Sequence, residues 1–295
     1  MPELPDIRVY VAALIERIEG RILNGLRIAN PFVVRSVQPH PSELAGLEVV
    51  HVGHQAKRIV IGLAGEHCIV IHLMIAGRLH WKNPGTLLKG RNQLAALDFD
   101  EGTLVLTEAG TKRRASIHLT RGEEACSSLD RGGLDPLSVS EDAFRERLTR
   151  ENHTLKRALT DQRFLAGIGN SYSDEILFAA RLSPFRQTHA LHADEWQRLY
   201  RATRDTLHGW IERLQREAGG NFPVKVTAFR EGMAVHGRYR QPCPVCGSPV
   251  QRIVYAENES NYCARCQTGG RLLADRALSR LLKANWPRKL EDLEE

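Results

Sequence analysis

Long hydrophobic runs are missing from this 295-residue sequence. Its longest apolar stretches, such as residues 69–75, are far shorter than the roughly 20 residues that a membrane-spanning helix needs. The N-terminus also lacks the succession of basic, apolar and small residues that marks a secretory signal. We therefore expect a soluble intracellular protein without a membrane partner.

Cysteine is scarce, and the six cysteines fall into two groups. Cys68 and Cys126 stand alone and are expected to be small buried residues in a reducing compartment. The other four form two CxxC pairs separated by 16 residues: Cys243, Cys246, Cys263 and Cys266. This spacing lets two turns bring four thiolates around one Zn²⁺ with no position left for water. We expect one structural zinc; two redox or disulfide pairs are the alternative.

Acidic residues are outnumbered, with 35 Asp and Glu against 41 Lys and Arg, which gives a net charge of +6 at pH 7. A positive balance suits a polyanionic partner, because each cation placed on a phosphate releases condensed counterions. An ordinary basic enzyme has the same balance. The charge therefore agrees with a nucleic-acid partner without identifying one.

Hydrophobic periodicity predicts an α+β protein. A helix is predicted over residues 5–19, and short β-rich runs with polar turns follow to about residue 120, as in an antiparallel sandwich. The clearest strands are predicted at 47–52, 58–63, 67–73, 94–99 and 103–107. Helices are predicted at 141–149, 152–160, 170–181, 192–217 and 272–286. The second half of the chain is therefore expected to be largely helical.

Five segments follow from this pattern. Residues 127–140 are rich in Ser, Gly, Asp and Pro, a composition typical of a linker. The predicted segments are an N-terminal domain (1–126), the linker, a helical domain (141–239), a cysteine-rich hairpin (240–268) and a helical extension (269–295). An apolar stripe in the extension indicates docking onto the chain's own surface, and a partner site is the alternative.

The first residues carry candidate chemistry. Because residue 2 is small, removal of Met1 is expected, and Pro2 then becomes a secondary amine that can form an iminium with a sugar carbon. Glu3 beside it is a candidate general acid or base. A proline at position 2 is common by composition, so this feature alone is weak evidence.

Four motifs in order resemble the formamidopyrimidine-DNA glycosylase and endonuclease VIII family. The chain opens with PELPD, where the family opens with PELPE or PEGPE. Residues 55–58 (QAKR) are similar to a loop with a catalytic lysine, and residues 155–175 to a helix-two-turns-helix DNA-binding motif. The fourth motif is the cysteine hairpin. The resemblance spans residues 1 to about 268.

The resemblance implies a fold and an activity. The fold is an N-terminal antiparallel β-sandwich flanked by helices, and a helical C-terminal domain with the helix-two-turns-helix motif and a zinc hairpin. The activity is a bifunctional glycosylase and abasic-site lyase acting on damaged double-stranded DNA, from a monomer in the bacterial cytoplasm or nucleoid. Pro2 would attack C1′ of a flipped nucleotide, Glu3 would protonate the opening sugar, and Lys57 would bind the adjacent phosphate.

Further DNA-binding residues come from the same resemblance, each with an alternative. Asn170, at a predicted helix N-terminus after Gly167-Ile-Gly169, is a phosphate site whose loop amides point outward, or part of a plain turn between helices. Lys156 corresponds to a lysine facing the lesion, or is a solvated helix residue. His72 corresponds to a histidine near DNA, or is a core histidine.

Two departures from the family concern its grip on DNA. The hairpin tip carries an arginine in the family, whereas residues 256–260 read AENES, with Asn258 at that position. Carboxylates repel phosphates, so nicking is predicted to stop mainly at the first elimination. The family fills the hole left by the flipped base with Met, Arg and Phe. Here Met74 or Ile75 and Arg113 are available without a neighbouring aromatic residue, and Arg113 as a solvated charge is the alternative.

A third departure bears on the substrate. The segment from Gly220 to Phe229 is shorter than the loop that caps 8-oxoguanine in the family, which favours oxidised pyrimidines or bulky lesions. The opening PELP is closer to the purine-specific branch, so the two signals conflict. A damage-binding protein without effective catalysis is the alternative function, and a zinc-ribbon protein of transcription or translation is a third.

Overall fold

The computed structural model describes residues 1–110, 112–224, 226, 230–255, 258–274, 280–281 and 287–293. The chain divides into two compact units. The first comprises Met1–Arg131 and Trp210–Ala228, and the second comprises Gly132–Gly209 and Phe229–Glu295. No helix within the described residues has both the length and the apolar character needed to cross a membrane.

The first unit consists of a leading helix, nine strands and a short second helix. The helices are α1 (Leu4–Ile18) and α2 (Glu123–Ser127). The strands are β1 (Ile22–Leu23), β2 (Gly25–Ile28), β3 (Leu47–Gln55), β4 (Arg58–Leu63), β5 (His67–His72), β6 (Gly77–Lys82), β7 (Gln93–Phe99), β8 (Gly102–Glu108) and β9 (Ser116–Arg121). The five strands predicted from the sequence are all present, with ends shifted by up to three residues.

Two antiparallel sheets form the body of this unit. One has the order β1-β3-β4-β5-β9, and the other has the order β2-β7-β8-β6. Their inward side chains share one core with the apolar face of α1, where Ile7, Leu14 and Ile18 are fully buried. Burying these faces stabilises the unit by about 25 cal/mol for each Å² of apolar surface removed from water. The predicted antiparallel sandwich is confirmed.

The outer face of the larger sheet is covered near α2. Cys126 on α2 and the half-buried Cys68 on β5 pack with Val60 and Val70, whose side chains point away from the main core. Burial raises the pKa of the Cys68 thiol to about 12, with a smaller contribution from the contact with Cys126. Such a thiol stays protonated and unreactive at neutral pH.

Residues 210–228 return to the first unit. Phe222 packs against the core, with its ring centroid 5.6 Å from that of Tyr10, and Val226 is buried in the same core. The sequence assigned this segment to the helical domain because the helix that leads into it is continuous. Lys225 and residues 227–229 lie outside the described residues.

The second unit is mainly helical, as predicted. It contains α3 (Glu141–Thr149), α4 (Leu155–Thr160), α5 (Asn170–Ala179), most of α6 (Ala193–Ala218), the hairpin β10 (Gln251–Tyr255) and β11 (Asn258–Tyr262), and α7 (Ala264–Thr268). Helix α4 begins three residues later than predicted because the Thr154 hydroxyl caps it, accepting from the Arg157 N–H at 3.4 Å.

The segment after the cysteine hairpin starts without helical structure at residues 272–274. Leu272 and Leu273 are buried against Ile253 and Tyr262 of the hairpin, and the Leu273 N–H donates to the Tyr262 hydroxyl at 2.8 Å. The predicted helical start at Leu272 is therefore wrong, because these residues pack on the hairpin instead of forming a helical turn. Residues 275–279 and 282–286 of that predicted helix lie outside the described part of the chain.

Candidate active site

The N-terminal residues are held by the start of α1. Pro2 and Glu3 are buried, and the Asp6 carboxylate accepts a hydrogen bond from the Glu3 N–H at 2.8 Å. This bond caps the helix. It also holds the negative charge of Asp6 at the positive end of the helix dipole, where an anion is stabilised. The chain terminus therefore has a fixed position at the end of a helix that is itself anchored in the core.

The environment of the terminal amine is the main electrostatic feature of this site. In the described chain the amine belongs to Met1, so it marks the position next to the nitrogen that Pro2 would expose. Burial lowers the pKa of the Met1 amine, as do the charges of Arg78 and Lys57, whereas Glu3 and Asp6 raise it. An amine with a lowered pKa is neutral, and thus nucleophilic, in a larger fraction of molecules.

Lys57 lies at the tip of the two-residue turn between β3 and β4, where Gln55 pairs with Arg58. Its neighbour Ala56 has a φ of 52°, in the left-handed region that non-glycine residues rarely adopt. The Arg58 guanidinium donates to the Leu129 carbonyl at 2.6 Å, and the Gln55 amide donates to the Cys126 carbonyl at 3.3 Å. Two anchored side chains thus hold the turn that carries Lys57.

A second tight turn precedes Arg78. The Gly77 N–H donates to the Leu73 carbonyl at 2.9 Å, and Met74 has a φ of 52°. Between them, Ile75 is 54% exposed at the tip of the turn, whereas Met74 is half-buried. Of the two candidates for an inserted apolar side chain, Ile75 is the one that the turn presents to solvent.

His72 ends β5 and pairs with Arg58 across the sheet. Burial, and after it the charges of Arg58, Lys57, His118 and Arg131, lower its pKa to about 4. The imidazole is therefore neutral at pH 7, so it can contact DNA through a hydrogen bond but not through charge.

Arg113 is half-buried, and its roles as a wedge residue and as a solvated charge both stay predictions. Its guanidinium donates to the Arg91 carbonyl at 2.6 Å. The following residues are anchored as well, because the Glu108 carboxylate accepts from the N–H groups of Arg114 and Ala115 at 2.9 Å. Thr111, in the same loop, lies outside the described residues.

In the second unit, α4 and α5 form the predicted helix-turn-helix arrangement, and α5 begins at Asn170 as expected. The loop amides do not all point outward, however. The Gly167 N–H donates to Gln162 Oε1 at 2.8 Å, and Gln162 Nε2 donates back to the Ile168 carbonyl at 2.7 Å. The expectation of outward amides is thus wrong at Gly167, whose φ of 84° closes the turn.

Asn170 joins α5 to the cysteine hairpin. Its Nδ2 donates to the Glu259 carbonyl on β11 at 2.7 Å. Asn258 pairs with Tyr255 at the start of β11, and residues 256–257 of the tip lie outside the described part. A phosphate bound at the N-terminus of α5 would therefore lie near the strand that carries Asn258.

Lys156 is neither solvated nor placed at the surface. It is 4% exposed, and its Nζ donates to the Asp174 carboxylate at 2.6 Å and to the Asn170 carbonyl at 2.7 Å. A solvated helix lysine is therefore excluded. In this structure Lys156 supports the backbone of Asn170, the residue that opens α5.

The partners of Asp174 and the role of Glu175 were not predicted from the sequence. Asp174 also accepts hydrogen bonds from His236 Nδ1 at 2.8 Å and from the Ser260 hydroxyl at 2.9 Å. The Glu175 carboxylate accepts from the N–H groups of Ala234, Val235 and His236. Two adjacent acids in the middle of α5 were the available signal, but the groups at residues 234–236 and 260 that donate to them are about 60 or more residues away.

The four paired cysteines come together as a metal site. Their Sγ atoms all lie within 4.8 Å of one another, with Cys243 and Cys266 at 3.9 Å and Cys246 and Cys263 at 3.4 Å. Sulfur atoms bound to Zn²⁺ at about 2.3 Å in a tetrahedron are about 3.8 Å apart. The thiols therefore fit one Zn²⁺, whose role is to hold the hairpin against α7.

Family models match three parts of the chain. The formamidopyrimidine-DNA glycosylase N-terminal domain matches residues 1–117, and the H2TH domain of that glycosylase matches residues 133–218. A zinc finger found in FPG and IleRS matches residues 240–269. Together with the thiol geometry, this last match confirms the predicted structural zinc.

Full-length relatives cover most of the chain. The formamidopyrimidine-DNA glycosylase of Laribacter hongkongensis is 32% identical over 276 residues, which are 90% of this chain and 100% of that protein. The one from Chloroflexus aurantiacus is 30% identical and covers 90% of this chain and 98% of its own. An uncharacterized formamidopyrimidine-DNA glycosylase-like protein of Mycobacterium tuberculosis is 40% identical over 151 residues, 51% of this chain and 94% of that protein.

Solved structures show the same fold. Lactococcus lactis Fpg bound to DNA with an abasic site has a TM-score of 0.80 at 21% identity, and covers 90% of this chain and 99% of that one. The same enzyme bound to DNA containing Fapy-dG also has a TM-score of 0.80, with 90% and 100% coverage.

Proposed function

Because this chain belongs to the formamidopyrimidine-DNA glycosylase family, we propose that it is a DNA glycosylase that removes oxidised or ring-opened bases from damaged duplex DNA. We propose further that it is a bifunctional enzyme that also cleaves the strand at the resulting abasic site. The observation that carries this proposal is the environment of the chain terminus, where the Met1 amine next to Pro2 is largely buried and the charges of Lys57, Arg78, Glu3 and Asp6 act on it.

The reaction begins when the damaged nucleotide leaves the base stack, which costs a few kcal/mol and least for a damaged base. The Pro2 nitrogen, freed by loss of Met1, attacks C1′ of the sugar as the bond from C1′ to the base breaks. The base leaves with the bonding electron pair and takes up the proton that the nitrogen loses. Glu3 donates a proton to the ring oxygen as the sugar opens, which leaves an iminium between Pro2 and C1′. Removal of a C2′ proton then expels the 3′ phosphate and nicks the strand.

Burial and nearby cations support Pro2 as the nucleophile. They lower the pKa of the Met1 amine, which lies next to the Pro2 nitrogen, and an iminium requires the neutral amine to attack. Glu3, at 2% exposure, is shielded from bulk water, as suits an acid that delivers a proton to one atom. Both groups are carried by the start of α1.

Lys57 and Asn170 are the proposed phosphate ligands. Lys57 contributes a cation at a turn whose flanking side chains are anchored, and its charge acts on the terminal amine. Asn170 contributes a helix N-terminus, which favours an anion. His72 and Arg113 are assigned to further DNA contacts, and Lys156 acts through its bond to the Asn170 carbonyl.

The second candidate function is a damage-binding protein that keeps the scaffold without effective catalysis. Asn258 favours it, because the position that carries a phosphate-binding arginine in the family has no charge here, and Glu259 follows it. Repulsion between carboxylates and phosphates weakens the grip that the reaction needs.

Borohydride trapping separates the two functions. Protein confirmed by intact mass to lack Met1 is incubated with duplexes that carry an abasic site, 8-oxoguanine, a formamidopyrimidine or 5-hydroxycytosine. A glycosylase that forms an iminium becomes covalently attached to DNA, and the ranking of duplexes identifies the lesion class.

Two controls accompany the trap. Pro2→Gly lacks the secondary amine, and a form with a permanent N-terminal extension has no free amine at residue 2. We expect the adduct to be lost or strongly reduced in both. Binding to damaged duplexes without any adduct in the wild type would instead establish the damage-binding protein.

A further inference from the structure

The chain continues beyond its zinc hairpin with a segment that none of the matched family domains contains. The zinc-finger match ends at residue 269, and the chain runs on to Glu295. Two parts of this segment, residues 270–273 and 287–293, lie together against the hairpin, and we call them the clasp. The proposed reaction gives the clasp no part, so its contacts need a separate explanation.

The two parts of the clasp are joined by backbone hydrogen bonds. The Leu272 N–H donates to the Arg288 carbonyl at 2.9 Å, and the Leu290 N–H donates to the Gly270 carbonyl at 2.9 Å. The Asp292 carboxylate accepts from the Arg288 N–H at 2.8 Å. These bonds fix the returning part of the segment on the part that leaves the hairpin.

The clasp contacts the residues on both sides of a zinc ligand. Tyr262 and Ala264, which precede and follow Cys263, are buried. The Leu273 N–H donates to the Tyr262 hydroxyl at 2.8 Å. The Gly270 N–H donates to the Ala264 carbonyl at 3.0 Å. The clasp therefore holds the backbone that carries one of the two ligand pairs.

The clasp also supplies half of the apolar core beside this ligand pair. Three leucines of the clasp and three residues of the hairpin segment are buried in a single cluster: Leu272, Leu273, Leu290, Ile253, Tyr262 and Ala264. A hairpin of two five-residue strands has few apolar side chains of its own and is marginally stable alone. Burial against the clasp therefore supplies stability that the hairpin lacks.

The other ligand pair is held locally. Cys243 and Cys246 lie in a turn that its own backbone closes, because the Cys243 N–H donates to the Ser248 carbonyl and the Gly247 N–H donates to the Cys243 carbonyl, both at 2.9 Å. The pair that contains Cys263 lies where β11 passes into α7, a helix of only five residues. Because so short a helix is not stable by itself, this is the side that moves if the two pairs separate.

We propose that the clasp retains the zinc ion by holding the Cys263 segment against the rest of the site. For Zn²⁺ to leave, the segments that carry the thiolates must separate, since metal binding and folding are coupled in such sites. The docked clasp opposes this separation, because Leu290 and its neighbours must then leave their apolar core. This inference concerns the metal site and does not depend on the proposed reaction.

The rate of zinc release measures the effect of the clasp. Full-length protein is mixed with excess pyridylazoresorcinol under reducing conditions, and the coloured zinc complex is followed with time. We expect Leu290→Ala to release zinc about tenfold faster or more, because it removes most of one buried leucine from the clasp. Tyr262→Phe, which removes only the acceptor of the Leu273 N–H, should accelerate release by about threefold. The two effects should not multiply in the double variant, because Tyr262 bonds to the clasp only while the clasp is docked.

Two other leucines give matched controls. Leu281→Ala changes an exposed leucine of the same C-terminal segment, and Leu191→Ala changes a buried leucine of the second unit that belongs to neither cluster around the thiols. Both should release zinc at the wild-type rate, and melting temperatures show how far each variant is destabilised. Hydrogen exchange of zinc-stripped protein gives a second readout, because peptides covering residues 259–264 should exchange more slowly in the wild type than in Leu290→Ala.

Two results would overturn the inference. One is unchanged zinc release in both Leu290→Ala and Tyr262→Phe. The other is equal acceleration in Leu191→Ala at an equal loss of melting temperature, because zinc loss would then follow the stability of the whole unit. Faster release confined to the clasp variants, with faster exchange of residues 259–264, supports it.

Discussion

At the scale of single residues, Asp174 has the largest predicted effect on stability. Its carboxylate is fully buried and accepts hydrogen bonds from Lys156, His236 and Ser260. Asp174→Ala leaves the Lys156 ammonium buried without its counter-charge, which costs about 3–5 kcal/mol in free energy of unfolding. Urea denaturation measures this loss.

The double variant Asp174→Ala with Lys156→Met is the control, because it removes both charges. It should be more stable than Asp174→Ala alone. Equal stability of the two would mean that the unpaired charge is not the source of the loss.

His72 gives a prediction for pH. In the folded protein its imidazole stays neutral down to a pKa of about 4, whereas in the unfolded chain it takes up a proton near pH 6.5. Between these values the unfolded state binds more protons, so the free energy of unfolding falls as the pH is lowered, by about 1–3 kcal/mol in total. Urea unfolding at pH 7 and pH 4.5 should show a smaller fall for His72→Gln than for the wild type. Equal falls would contradict the assignment.

Residue chemistry was predictable where it is local in sequence. The metal ligands, the turn that carries Lys57 and the start of α5 at Asn170 each follow from a few adjacent residues. The buried pairing of Lys156 was not predictable, because Asp174 is 18 residues away and lies on another helix. Local patterns cannot tell a lysine in water from one whose counter-charge arrives through tertiary packing.

At the scale of elements, the turn from Leu73 to Gly77 depends on one missing side chain. A Cβ added to Gly77 would lie 2.2 Å from the Leu73 carbonyl oxygen, the acceptor that closes the turn. Gly77→Ala should therefore lower the free energy of unfolding by about 2 kcal/mol or more. It should also weaken damage recognition by displacing Ile75 and Arg78.

Gly25→Ala is the matched control, because a Cβ at Gly25 on β2 meets nothing within 4 Å. Its melting temperature should stay close to that of the wild type. A Gly77→Ala protein as stable as Gly25→Ala would show that the turn adjusts without strain.

The zinc hairpin gives a prediction for the product. Because Asn258 is uncharged, we expect nicking to stop mainly at the first elimination, which leaves an unsaturated sugar on the 3′ end. Asn258→Arg should raise the share of the doubly eliminated, 3′-phosphate product, and Asn258→Gln should not. Gel electrophoresis resolves both products on an abasic duplex. Mostly 3′-phosphate product from the wild type would refute the prediction.

Strands and helices form where the hydrophobic periodicity predicts them, except where contacts with residues distant in sequence determine the backbone conformation. The strands of the sandwich alternate or run apolar as their burial requires, and they were found at the predicted places. The stretch from Leu272 has an equally apolar pattern but is not helical at its start, where the Tyr262 hydroxyl accepts the Leu273 N–H. A hydrogen bond between two residues 11 positions apart in the sequence therefore outweighs the helical periodicity of the pattern.

At the scale of the whole molecule, the division into units could not be predicted from the sequence. The chain passes from the first unit to the second after Arg131, within the stretch 127–140 that has a linker-like composition. The return of residues 210–228 has no such signal. It depends on Phe222 and Val226, which pack in the core of the first unit. One continuous helix precedes them.

The net charge of +6 makes DNA affinity dependent on salt, and the dependence can be assigned to residues. Each phosphate neutralised on duplex DNA contributes a slope of about −0.9 to the logarithm of affinity against the logarithm of salt concentration. If Lys57 binds a phosphate, Lys57→Ala should make the slope shallower by about 0.9. Titrations of a tetrahydrofuran duplex between 50 and 200 mM salt measure it.

Lys289→Ala removes the same charge from an exposed position in the second unit, and both variants have a net charge of +5, one less than +6. A change of slope in Lys57→Ala alone would mean that a built phosphate contact, and not bulk charge, holds the DNA at the amine site. Equal changes in both variants would mean that the chain attracts DNA only through its overall charge. The proposed role of Lys57 in catalysis would then lose its support, since a lysine that does not contact the phosphate beside the lesion cannot assist at the reacting sugar.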